Sequence, residues 1–149
     1  MKMSVSRDGF SVVELMVVIA IMGIIGAIAL PTWRNLLPNY ALNNSIRQIQ
    51  SELHHIKMRA VAENTGFQLA YVQNASEYTI QRDSKPLQTK PIAEGTSILK
   101  AGTIAFSPRG TAAGNRVRLR NTSGSCRQIV VSATGRVRIC TPNKCAEEC

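Results

Sequence analysis

From Phe10 to Leu30 the chain reads FSVVELMVVIAIMGIIGAIAL, twenty-one residues with one charge, Glu14. As a helix this run is about 31 Å long at roughly 1.5 Å per residue, close to a hydrocarbon core of about 30 Å. Such a segment belongs in a bilayer or among other apolar helices. A carboxylate at the centre of a membrane helix costs roughly 2.5–3.5 kcal/mol on insertion scales, and less near an end, so Glu14 needs a partner. Upstream lies a polar leader, MKMSVSRDG, ending in Gly9. Cleavage between Gly9 and Phe10 would create that partner, because the new α-amine has a pKa of about 7.7–8.0 and is charged at neutral pH. A secretory signal carries its apolar region before the cut and loses it. Here the cut precedes the apolar run, which stays on the mature chain. Lys2 and Arg7 favour a cytoplasmic N-terminus, with the rest of the chain beyond the inner leaflet.

Gly9-Phe10-Ser11-Val12-Val13-Glu14-Leu15 resembles the class III signal of type IV prepilins and type II secretion pseudopilins. The resemblance implies that a prepilin peptidase cuts after Gly9 and methylates Phe10. It also implies that Glu14 pairs with a neighbouring subunit's N-terminus during filament assembly, and that Pro31 sits at the family's helix kink. The implied location is the inner membrane, crossed once, before assembly into a pilus reaching from periplasm to cell surface. The implied fold is type IV pilin-like: residues 1–9 a leader, 10–31 a transmembrane and filament-core helix, 32–65 an amphipathic stem, and 66–149 a β-rich domain.

The rest of the chain supports that division. Leu42, Ile46, Ile49, Leu53, Ile56 and Ala60 recur at steps of three and four, the stripe of an amphipathic helix, and the residues between them are largely polar. Pro31 and Pro38 should kink or loosen the helix, and Asn64-Thr65-Gly66 should stop it. From Phe67 the period shortens to about two. FQLAYVQ and EYTIQR predict a hairpin around Asn74-Ala75, residues 83–91 a loop, and 96–100, 103–107, 115–121, 127–133 and 136–141 further strands. One long helix followed by antiparallel strands is an α+β arrangement. Phe106-Ser107-Pro108-Arg109-Gly110 and the later Gly135-Arg136-Val137-Arg138 extend the resemblance to the GspH/FimT branch of the family.

Roughly 80 residues make a domain whose core alone gives marginal stability. Cys126, Cys140, Cys145 and Cys149 all fall in the last 24 residues. In an exported domain an even cluster reads as two disulfides. Three connectivities are open and sequence does not choose among them; Cys126–Cys140 with Cys145–Cys149 is the preferred expectation. A zinc site fits poorly, because C-x4-C-x3-C lacks a nearby histidine.

The chain's formal charge is +9, and its distribution is lopsided. From Gly95 to Ala146 there is no acidic residue, while nine are basic: Lys100, Arg109, Arg116, Arg118, Arg120, Arg127, Arg136, Arg138 and Lys144. On a strand, Arg116, Arg118 and Arg120 share one face, with Val117 and Leu119 on the other. Arg136-Val137-Arg138-Ile139 repeats the device, and in one sheet the two strands would form a basic ribbon. A single arginine on a strand's wet face is ordinary and discourages edge-to-edge aggregation. The ensemble, without local carboxylates, indicates a polyanion: DNA first, with acidic polysaccharide or lipopolysaccharide behind it. The only aromatic in this region, Phe106, is expected in the core, which leaves no stacking platform for single strands. The expected mode is backbone contact with steep salt dependence. Within the resembled branch, the FimT group comprises DNA-binding minor pilins of natural transformation, whose binding residues include a C-terminal Gly-Arg-x-Arg. Gly135, Arg136 and Arg138 match it, and Arg116, Arg118, Arg120 and Lys144 complete the candidate set. The rival within the family is a structural minor pilin or GspH/FimU-like pseudopilin that primes or caps a filament.

No enzymatic chemistry is indicated. His54 and His55 diverge by about 100° on a helix and cannot clasp one metal. There is no G-x-S-x-G elbow, phosphate-binding loop, H-E-x-x-H or nucleotide fingerprint. No cofactor is expected. The expected partners are other pilins, the prepilin peptidase, the inner membrane and DNA.

Overall fold

A computed structural model describes residues 11–142 and 145, apart from the side chains of 29–35. Gly9, Phe10, Lys144, Cys149 and the Pro31 side chain therefore lie outside the described residues. The chain divides into two compact units, one ending at Leu36 and one spanning Leu37–Cys149.

Helix α1 runs Val12–Ala62 and contributes to both units. Ser11 starts it: the Val13 N–H donates to Ser11 Oγ at 3.4 Å and the Leu15 N–H to the Ser11 carbonyl at 3.2 Å. Glu14 stands in the first turn, at the S-x-x-E spacing of a capping box, where the helix dipole favours a carboxylate. The large apolar side chains described between Val12 and Ile28 are all exposed, Met22 at 68% for example. Among the described residues no helix is long and apolar enough to cross a membrane. Phe10 and the side chains of 29–31, which belong to the expected span, lie outside that description. Neither Pro31 nor Pro38 ends the helix. Its stop is Asn64, at φ 48°, where a Schellman motif forms: the Thr65 N–H donates to the Ala60 carbonyl at 3.1 Å and the Asn64 N–H to that of Val61 at 3.4 Å.

In the second unit the expected stripe is buried from Leu42 to Ala60, with Leu53 and Ile56 fully enclosed. It joins one core with side chains from two four-stranded antiparallel sheets. The first sheet contains β1 (Phe67–Tyr71), β2 (Glu77–Arg82), β3 (Lys85–Pro91) and β5 (Gly102–Phe106) in the order β3-β2-β1-β5. The second contains β4 (Thr96–Ile98), β6 (Asn115–Asn121), β7 (Cys126–Val131) and β8 (Val137–Cys140) in the order β4-β6-β7-β8. Each fully buried aliphatic or aromatic side chain contributes roughly 1.5–3 kcal/mol. Polar bonds fix the helix to both sheets. Gln48 donates to the Tyr78 phenol at 3.2 Å, Lys90 pairs with Glu52, and Asn121 Nδ2 donates to Asn39 Oδ1 at 3.0 Å.

The α+β expectation holds, and so does the hairpin of β1 and β2. One element differs: residues 83–91, expected as a loop, form β3 preceded by a tight turn. Asp83 and Ser84 both have positive φ, 46° and 67°, as a two-residue hairpin turn with strand-matching twist requires. Pro86 and Pro91 are tolerated because β3 is an edge strand, where a missing donor need not break a ladder.

Candidate nucleic-acid interface

The two arginine strands do share a sheet, with β7 between them. Val117 and Leu119 are fully buried, so Arg116, Arg118 and Arg120 occupy the opposite, outer face. In register Arg116 lies beside Val130, and Val130 beside Arg138. The two arginine rows are therefore about 9.6 Å apart, twice the strand spacing of roughly 4.8 Å, with arginines about 6.8 Å apart along each row. Arg116, Arg120, Arg136 and Arg138 are exposed. The guanidinium groups of Arg120, Arg136 and Arg138 have no protein partner among the described residues. Arg116 takes part in a further interaction and is not counted with them.

Arg118 departs from expectation. It is half-buried: Nε donates to Gln128 Oε1 at 3.0 Å and Nη1 to the Cys145 carbonyl at 3.2 Å. Gln128, the neighbour of Arg118 on β7, has no exposure at all. Arg118 therefore holds Cys145 and does not project into water with its neighbours.

The tail also corrects the disulfide expectation. Cys126 bonds to Cys145, with a Cα–Cα distance of 5.4 Å, so the preferred Cys126–Cys140 and Cys145–Cys149 pairing is wrong. The reason is register. Cys126 and Cys140 are on adjacent strands, but Cys140 lies opposite Gln128, two residues past Cys126. Cys140 is itself disulfide-bonded.

The Gly-Arg-x-Arg segment begins in the β7–β8 turn. Gly135 has φ 72° and is buried. A Cβ there would collide with the Gly110 carbonyl oxygen and stand 3.1 Å from Lys57 Cε. Lys57 Nζ donates to the Gly135 carbonyl at 2.9 Å. Gly135 is therefore a packing residue, and the arginines after it supply the exposed charge. Arg109, at the adjoining β5–β6 turn, is also exposed. Sequence spacing could not single it out, since its turn meets that of Arg136 only through two glycines 25 residues apart in the chain.

Below the ribbon the supports are polar and buried. Tyr71 OH donates to the Arg116 carbonyl at 2.9 Å and ties the first sheet to β6, and burial pushes its phenol up to about 12. Gly102 makes room for that ring, because a Cβ there would stand 2.7 Å from the phenol oxygen. Arg127 points to the helix side instead, where Nε donates to Asn43 Oδ1 at 3.1 Å. Phe106 is buried, as expected, so it offers no base-stacking surface. His54 and His55 are both exposed. Among the described residues the ion pairs are Arg59–Glu63, Arg82–Glu63 and Lys90–Glu52, all on the helix and the first sheet or the segment joining them. None of these described pairs involves a residue of the second sheet.

The model of the family described as type II transport protein GspH matches residues 45–135, and that of the prokaryotic N-terminal methylation motif matches residues 6–30. Among solved structures, the type IV minor pilin FimU of Pseudomonas aeruginosa superposes with a TM-score of 0.55 at 15% identity, covering 70% of this chain and 99% of FimU. The minor pseudopilin EpsH from the type 2 secretion system of Vibrio cholerae gives a TM-score of 0.57 at 11% identity, covering 69% of this chain and 98% of EpsH. Comparison with curated proteins gave no match. At such identities the structural likeness speaks to fold, and it agrees with the pilin-like architecture expected from sequence.

Proposed function

The chain belongs to the GspH family, as a minor pilin or pseudopilin of a type IV pilus or of type II secretion, and from that premise we propose that its second sheet binds extracellular DNA for uptake in natural transformation. The supporting observation is the set of exposed guanidiniums at Arg120, Arg136 and Arg138, which have no partner among the described residues, on a face with no carboxylate among those residues. Arginine's planar fork suits phosphate oxygens. No helix belongs to the second sheet and no aromatic lies exposed on it, so the reading is of phosphate contact with little sequence preference. Lys144 belongs to the same proposal on sequence grounds alone.

Assembly completes the reading. Cleavage after Gly9, methylation of Phe10 and pairing of Glu14 with a neighbour's N-terminus deliver the chain from the inner membrane into a filament. The methylation-motif match over residues 6–30 and the uncovered apolar surface of Val12 to Ile28 support this. The alternative is a subunit that primes or caps the filament without touching DNA.

The test uses the full, leader-processed chain in a neutral detergent, with duplex binding followed by fluorescence anisotropy as salt is raised. Binding should weaken linearly in log–log form, and Arg136→Gln/Arg138→Gln should lower the slope by about 2, at roughly 0.9 per phosphate. Absence of binding at low salt, or an unchanged slope in the double variant, refutes the DNA reading. In a producing strain the same variant should keep its filaments and lose DNA uptake; loss of the filaments would establish the structural alternative.

A further inference from the structure

The β5–β6 turn and the β7–β8 turn are locked together by two glycines. Gly110 and Gly135 both have left-handed backbones, at φ 76° and 72°. The Gly110 carbonyl occupies the space a Gly135 Cβ would need, and a Cβ on Gly110 would press on Val61 at 3.2 Å and Lys57 Cε at 3.4 Å. Lys57 lies under both turns and donates to the Gly135 carbonyl. A second strut runs alongside, from the Ala112 N–H to the Ala133 carbonyl at 3.0 Å. Each turn also has its own hydroxyl bonds: Ser107 with Thr111 at 2.7 Å in one, Ser132 with Thr134 at 2.9 Å in the other. Neither turn can therefore shift without the other.

Arg109 immediately precedes Gly110, and Arg136 immediately follows Gly135. Both are exposed, and neither guanidinium has a partner among the described residues. The glycine contact thus brings together the two turns that carry these cationic residues, at one end of the arginine ribbon. Ser107 Oγ accepts the Arg109 N–H at 3.3 Å and holds the backbone of that residue.

We infer that Arg109 is a further phosphate contact, extending the DNA track past the end of the second sheet onto the β5–β6 turn. The inference rests on the DNA reading above and adds a residue outside the Gly-Arg-x-Arg segment. Placed on a rigid turn and not on a flexible arm, Arg109 holds its register with Arg136, so one strand of duplex can meet both.

The experiment repeats the salt titration with the full chain in neutral detergent, using a mixed-sequence duplex. Arg109→Gln should weaken binding about fivefold at 0.15 M salt and lower the log–log slope by about 0.9, the share of a single phosphate. Arg109→Lys, which keeps the charge, should restore most of the slope. Lys85→Gln, on the exposed edge of the other sheet, is the control for loss of charge alone and should leave both quantities unchanged. If wild type binds through Arg136 and Arg138 but Arg109→Gln keeps the wild-type slope, Arg109 is no contact and this inference fails while the DNA reading stands. If Lys85→Gln lowers the slope equally, the effect is general charge and the inference also fails. If wild type does not bind at all, the underlying reading fails with it.

Discussion

Gly135 shows how a short basic motif divides its labour. Its left-handed φ of 72° and its contact with the Gly110 carbonyl leave no room for a side chain. Gly135→Ala removes no charge, yet it should cost about 2 kcal/mol or more, since a non-glycine residue in that region costs of order 1–3 kcal/mol before any steric displacement. Urea unfolding of the wild type and the variant measures this. DNA affinity should fall as well, through displacement of Arg136, and a variant of wild-type stability would show that the turn has slack. Arg118 teaches the complementary lesson. It has the right spacing for the ribbon, but its guanidinium is occupied by Gln128 and the Cys145 carbonyl. Charge counted along a strand therefore overstates the charge available to a ligand.

Strand β3 and the two buried phenols illustrate what elements gain from their neighbours. Residues 85–91 carry two prolines and no clean alternation, and they become a strand only because β2 offers an open edge. Tyr71 and Tyr78 brace the first sheet, on β6 and on the helix respectively. Burial pushes both phenols from 10 up to about 12. The unfolded chain ionises near 10, so their contribution is complete below that pH and is lost as pH rises from 10 through 12. The expected loss is about 1.4 kcal/mol per pH unit for each phenol. Denaturant unfolding between pH 9 and 12 should show a flat region followed by a decline, and Tyr71→Phe should remove about half the slope. A stability profile flat to pH 12 would contradict the burial argument.

Across the whole chain, function is partitioned by charge and by covering. The helix from Val12 to Ile28 presents apolar side chains, while the unit from Leu37 onward has its own core and a cationic outer sheet. The Cys126–Cys145 bond ties Cys145 to β7 across a separation of 19 residues. By loop-closure entropy it should be worth about 3 kcal/mol, and for a domain of this size its loss should lower the melting temperature by on the order of 10–20 °C. Near-UV circular dichroism of Cys126→Ala/Cys145→Ala against wild type reads this directly. A melting temperature within 2–3 °C or so of wild type would mean that the tail is held by other contacts.

Local sequence was enough for everything that depends on period and type. The stripe from Leu42 to Ala60, the β1–β2 hairpin, the helix stop at Asn64 and the inward Val117 and Leu119 follow from spacing alone, because burial repeats with the geometry of the element. The apolar run with its single carboxylate called for a partner charge, and the family entered through the resemblance of Gly9, Phe10 and Glu14 to the prepilin signal. Long-range register decided the rest. It put β7 between the two arginine strands, moved Cys140 out of line with Cys126, turned residues 85–91 into an edge strand and joined the turns of Arg109 and Arg136 through a glycine contact. None of these is encoded by neighbours along the chain; each follows from which backbone a segment meets once a common core has formed.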